Sequence, residues 1–142
     1  MSDTSGLIFL LGRIVFVIQF LAGAFGHFKM GDQMAGYARQ MGAPLPALGG
    51  WPAGAWLLVS SLSVLLGVWP DIGMLMIALW GIPTAYWIHG WWRYDDAQTA
   101  QNQQLLFMRN LAFLGGAVIA FALFVHLGDQ LRYVITPPAF SF

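Results

Sequence analysis

The sequence predicts an all-α integral membrane protein: a four-helix bundle in a single domain, residues 1–142, with a short interfacial helix between spans one and two. Three observations predict it. The chain is 58% hydrophobic and 8% charged. A soluble domain carries about 25% charged residues, so this surface has too few charges to face water and must face lipid. Four apolar runs, at about residues 6–28, 51–69, 72–92 and 105–127, alternate with polar or turn-forming stretches. Tryptophan, tyrosine, histidine and arginine crowd the end of the third run, Leu79–Tyr94, as they do where a helix leaves hydrocarbon for the headgroup layer.

Composition removes several function classes. The net charge is +0 and no basic run occurs, which excludes nucleic acid as a partner on electrostatic grounds. Cysteine is absent, and with it disulfides, thiolate metal sites, iron–sulfur clusters and cysteine nucleophiles. Glutamate is absent too, so a Glu-x-x-His metal motif is impossible. No P-loop, nucleophile elbow or dinucleotide fingerprint is present. Gly115-Gly116 sits inside an apolar run and lacks the strand such motifs require.

The first span covers Gly6–Phe28, about 34 Å at 1.5 Å per residue. Met1–Ser5 has no positively charged region, so this run reads as a retained helix rather than a signal peptide. Arg13 interrupts it two turns from its start. Its long stem either snorkels outward as an interface anchor or meets an acid or carbonyl inside the bundle. Residues 29–50 connect spans one and two. Asp32 is placed to cap a short helix, Gln33–Met41, whose face Met34, Tyr37, Ala38, Met41 predicts an amphipathic segment lying in the interface.

Trp51–Trp69 forms the second span, framed by tryptophans, with Ser60, Ser61 and Ser63 expected to bond to their own helix or a neighbour. Pro70-Asp71 predicts a tight turn into the third span, Ile72–Trp92, which Pro83 should kink and where Thr84 can re-satisfy a freed carbonyl. Asp95 or Asp96 caps a helix that begins outside the membrane and runs into the fourth span, Leu105–Leu127. There Ala112, Gly116 and Ala120 form a small-residue stripe for helix packing. The tail from Gly128 has little to order it by itself.

Four crossings gather both long connections on one side. That side holds Lys29, Arg39, Arg93 and Arg109, so residues 29–50 and 93–107 are expected to be cytoplasmic, in a bacterial inner membrane. The ends of spans one and three, Phe25-Gly26-His27-Phe28 and Ile88-His89-Gly90-Trp91, weakly echo one another, as in a repeat of two helical hairpins. The same alternation brings His27, Tyr86, His89, Trp92, Arg93, Arg109 and Asn110 to one end of the bundle. Their donors suit a quinone carbonyl or a lipid headgroup, with aromatics flanking a ring or tail. The competing account is an aromatic belt with snorkelling cations. Tetrapyrrole ligation by His27 and His89 ranks lower, since lone interfacial histidines are more often satisfied by hydrogen bonds. A metal site with Asp95 ranks lower still, because nothing fixes the spacing.

Several segments resemble the DoxX family: Leu11-Gly12-Arg13-Ile14, Ala24-Phe25-Gly26-His27-Phe28, Met41-Gly42-Ala43-Pro44, Leu66–Gly73, the end of span three, and Phe107–Gly116. The resemblance covers about residues 8–125. It implies a four-helix membrane protein. The family takes its name from a quinol oxidase subunit, and relatives are linked to thiosulfate:quinone oxidoreduction and membrane redox complexes. Arg13, His27, His89, Arg109 and Asn110 are the matching positions. The resemblance therefore implies a small subunit of a membrane redox or energy-converting complex, packed against other integral membrane subunits and lipid, with no catalytic residue of its own. The alternatives are a free-standing quinone-linked oxidoreductase and a structural scaffold that binds lipid or pigment.

Overall fold

A computed structural model describes residues 1–142 and contains helices without strands. Five α-helices follow in order: α1 (Asp3–Lys29), α2 (Gly31–Gln40), α3 (Trp51–Leu66), α4 (Pro70–Pro83) and α5 (Ala97–Leu127). By length and composition, α1, the stretch Pro70–Arg93 and α5 can each cross a membrane, while apolar α3 is shorter at 16 residues. The helical membrane bundle expected from the sequence is what forms.

Local chemistry sets most boundaries. Ser2 caps α1 by accepting from the Ser5 amide, and Asp96 caps α5 by accepting from the Thr99 amide at 2.8 Å and its hydroxyl at 2.6 Å. Those two bonds hold the Asp96 carboxyl below the usual carboxylate range. Four boundaries differ from expectation. The α2 helix starts at Gly31 with Met30 at its cap, because α1 ends only one residue earlier; Asp32 sits in the first turn, not at the cap. The α3 helix stops at Leu66 because Gly67 takes φ 69° and Val68 donates back to the Ser63 carbonyl, the hydrogen-bonded stop that glycine favours. The turn therefore lies at Gly67–Trp69, and Pro70, with no amide to lose, opens α4.

The fourth difference is Pro83. The α-helical hydrogen bonding of α4 ends at Pro83, and the helix runs on as a π-helical turn to Ile88, short of the expected Trp92. Beyond it Thr84–Ile88 form one wide turn closed by His89 N–H on the Thr84 carbonyl, and Trp91–Arg93 make a separate 3-10 turn. Thr84 does re-satisfy a carbonyl, donating to Trp80 at 2.9 Å.

Around the bundle α1 packs on α3, α3 on α4 and α4 on α5. The ring closes between α5 and α1 through phenylalanines: Phe9 with Phe124 at 5.0 Å, and Phe20 with Phe113 at 5.3 Å between centroids. Val17, Ala24, Leu57, Val64, Ile77, Ala117 and Phe124 fill the centre. Ser60 and Ser63 bond to nearby backbone carbonyls, while the buried Ser61 hydroxyl has no partner. On α5, Ala112 is exposed, and Gly116 and Ala120 are half-buried, Gly116 facing the Phe16 ring of α1.

At the end holding the α3–α4 turn, the tail is tied down. Arg13 is 1% exposed and does not snorkel. Its guanidinium donates to the carbonyls of Val64 (2.8 Å), Leu65 (2.6 Å) and Tyr133 (2.8 Å). Two of these are orphan carbonyls at the α3 C-terminus, where a cation is favoured. The buried Asp71 carboxylate accepts from the Ala139 and Phe140 amides, and the Gly67 carbonyl accepts from Ile135 and Thr136. Arg132 pairs with Asp3 at 2.9 Å.

Candidate functional site

The opposite end of the bundle holds a cavity of about 730 Å³. Its floor and sides come from the last turns of α1 and α4, the first turns of α3, and Arg109, more than three turns into α5. Its cover is the connector from α2 through the turn Pro46–Gly49. The amphipathic segment thus folds over this end of the bundle. Ala38 is buried, and the amide side of Gly50 comes so close to the Gly31 carbonyl that a Cβ there would sit 2.8 Å from it.

Of the seven sequence-predicted residues, His27, His89 and Arg109 line this cavity. His27, near the end of α1, has its Nδ1 2.8 Å from the Gly49 carbonyl and its ring edge-on to Trp80 at 5.6 Å. A carbonyl can only accept, so Nδ1 carries the proton and Nε2 keeps its lone pair. His89 follows the wide turn after Pro83. Its Nδ1 donates to Gln103 Oε1 of α5 at 2.9 Å, which again leaves Nε2 as an acceptor. Arg109 enters from α5 without an ion pair, the single ion pair being Arg132–Asp3.

The other four lie elsewhere. Arg93 is exposed and works as a clip: it donates to the carbonyls of Met41 (2.6 Å), Trp87 (3.2 Å) and Tyr86 (3.3 Å), tying the connector to the end of α4. Tyr86 and Trp92 are exposed, stack at 5.7 Å, and flank that guanidinium from outside the cavity. Asn110 is buried and donates to the Leu106 carbonyl of its own helix.

Sequence reading missed Tyr37, Trp56 and Trp80 as cavity residues. The apolar face Met34–Tyr37–Ala38 was a usable signal, but what it covers depends on the fold of the connector. Burial, then the neighbouring Tyr94 phenol, push the Tyr37 hydroxyl above its ordinary range, while a hydrogen bond from Gln103 acts the other way.

Chemically the cavity is an apolar box with a few polar points. Pro83 has no amide for the Leu79 carbonyl, and Leu79 lines the wall. The two imidazole Nε2 atoms are the cavity's acceptors, with Arg109 as its cationic donor. No three His or Asp side chains converge as a metal site would need. The arrangement suits the hydroxyl or carbonyl groups of an apolar ring.

A family model described as DoxX matches residues 8–90. That range takes in His27, His89, Arg13 and most of the cavity wall and ends before α5, so Arg109 and the Phe107–Gly116 segment lie outside it. No curated protein and no solved structure matches the chain.

Proposed function

The chain belongs to the DoxX family, and from that membership we propose that it is a small subunit of a membrane redox assembly whose cavity holds the ring of a quinone-type lipid. In this reading α1, α3, the stretch Pro70–Arg93 that begins as α4, and α5 each cross the bilayer. The 16-residue α3 rises about 24 Å, and local thinning accommodates the shortfall. Its ends are marked by Trp51 and Trp69, both exposed. The outward small-residue face at Ala112 and Gly115 offers a neighbouring subunit's helix a close approach. The redox centre belongs to that neighbour, because this chain's residues bind and orient but supply no electron carrier.

The observation that carries the reading is the 730 Å³ apolar cavity with His27, His89 and Arg109 on its wall. The two imidazole acceptors can take the hydroxyl protons of a quinol, and the Arg109 guanidinium can donate to an oxygen of the quinol or the quinone, with Trp80 and Trp87 against the ring faces. The test is quenching of tryptophan fluorescence by a decyl-tailed benzoquinone and its quinol, using purified protein in nanodiscs. Saturable quenching is expected. His89→Leu and Arg109→Gln should each weaken binding roughly fivefold, and Tyr86→Phe, outside the cavity, should leave it unchanged. Non-saturable quenching, equal in all variants, would remove the pocket from the account. A lone monomer in native mass spectrometry from mild detergent would remove the assembly.

A further inference from the structure

We propose that the ligand reaches this cavity sideways from the bilayer, through a mouth between α3 and α4 that Trp56 latches. The inference rests on the cavity being a ring-binding pocket and adds how that pocket is reached.

A side chain that lines a cavity and is also exposed on the outside marks a thin wall. Trp56 of α3 and Leu79 of α4 line the cavity and are 39% and 50% exposed. Leu45 and Leu48 of the connector continue the same rim at 66% and 53%. Every one of these is apolar, so the rim is wetted by acyl chains rather than water. Trp56 stands five residues into α3, roughly 7 Å below its end, which puts the mouth at the upper edge of the hydrocarbon.

The water-facing end is tied down by contrast. The connector lies across it, and Arg93 fastens the connector by donating to the Met41 carbonyl at 2.6 Å. Tyr94 adds a second tie to the Met41 sulfur at 3.3 Å. Passage from water would require breaking both.

Across the mouth, Trp56 Nε1–H donates to the Met76 carbonyl at 2.9 Å, joining α3 to α4. Met76 lies inside α4, where helix carbonyls have amide partners of their own, so the indole is an added donor. Swinging it out strands no carbonyl in α4, and the N–H can find headgroups or water at the interface. A bond of this kind suits a gate better than a structural tie. The occupant it admits is a ring with an apolar tail, the tail left trailing through the mouth into lipid.

A gate residue changes rates without changing equilibrium, whereas a contact residue changes affinity. Stopped-flow quenching by decyl-tailed benzoquinone in nanodiscs separates the two. Trp56→Phe keeps an aromatic ring but loses the N–H; it should raise the association and dissociation rates together, each about fivefold, a change in both rates that exceeds any change in Kd from the altered cavity wall. Leu79→Phe narrows the rim at an exposed position and should slow both rates together. Unchanged rates in both variants, or a Kd that moves while association stays fixed, would overturn the gate and leave the pocket standing. Loss of saturable binding in the unmodified protein would overturn the pocket, and the gate with it.

Discussion

Arg13 carries the largest energetic stake of any single residue. A guanidinium buried in an apolar span is costly unless its donors are matched, and here they meet three carbonyls. Arg13→Met should therefore destabilise the protein by about 3 kcal/mol, since the α3 carbonyls lose their partner. Arg13→Lys should recover only part of this, because one ammonium cannot reproduce the planar fork. Thermal unfolding in detergent checks both, and equal stability of all three proteins would contradict the role. From sequence, Arg13 was visible as an anomaly with two outcomes. The deciding partner, Tyr133, is 120 residues away, and no local pattern points to it. His27 and His89 were easier to place, because helix direction alone brings them to one end. Tyr86, Trp92 and Arg93 share that end but not the cavity, since which way a side chain turns after Pro83 depends on the wide turn Thr84–Ile88 and not on α-helical periodicity.

At the scale of elements, close approach of backbones holds the centre together. A Cβ on Gly73 would stand 2.8 Å from the Ser60 carbonyl and 2.6 Å from Ser63 Oγ, so α4 sits against α3 only because that position is bare. Gly73→Ala should push the helices apart and destabilise by about 2 kcal/mol, the usual range for overpacking. Gly12→Ala, where a Cβ meets nothing, serves as its control. A lower melting temperature for the first and not the second is expected. The existence of the four apolar helices was legible, because a 58% hydrophobic chain must bury its runs or turn them to lipid. Their ends were less so. Stopping α3 at Gly67 depends on a left-handed conformation that a glycine permits but does not compel. The connector was legible as amphipathic, yet its role as a cover was not. Whether an apolar face meets lipid or protein is settled by the bundle beneath it.

For the molecule as a whole, the two ends differ in kind. One is tied down: Arg13, Gly67 and Asp71 hold the tail, and Arg132 bonds to Asp3 and to the Met1 carbonyl. The other is hollow, with polar points spaced around an apolar box. That division makes sense only if His27, His89 and Arg109 share one face of the membrane, which requires α1, α3, α4 and α5 to cross in alternating directions. A chain without cysteine is ready for the direct test. Single cysteines replace Ala47 and Ala97 near the cavity, and Ser2 and Ser141 at the tail end, all at exposed positions. Each is then labelled with a membrane-impermeant maleimide in sealed vesicles of known orientation. The account predicts that positions 47 and 97 react from one face, and positions 2 and 141 from the other. Labelling of 47 and 97 from opposite faces would contradict it.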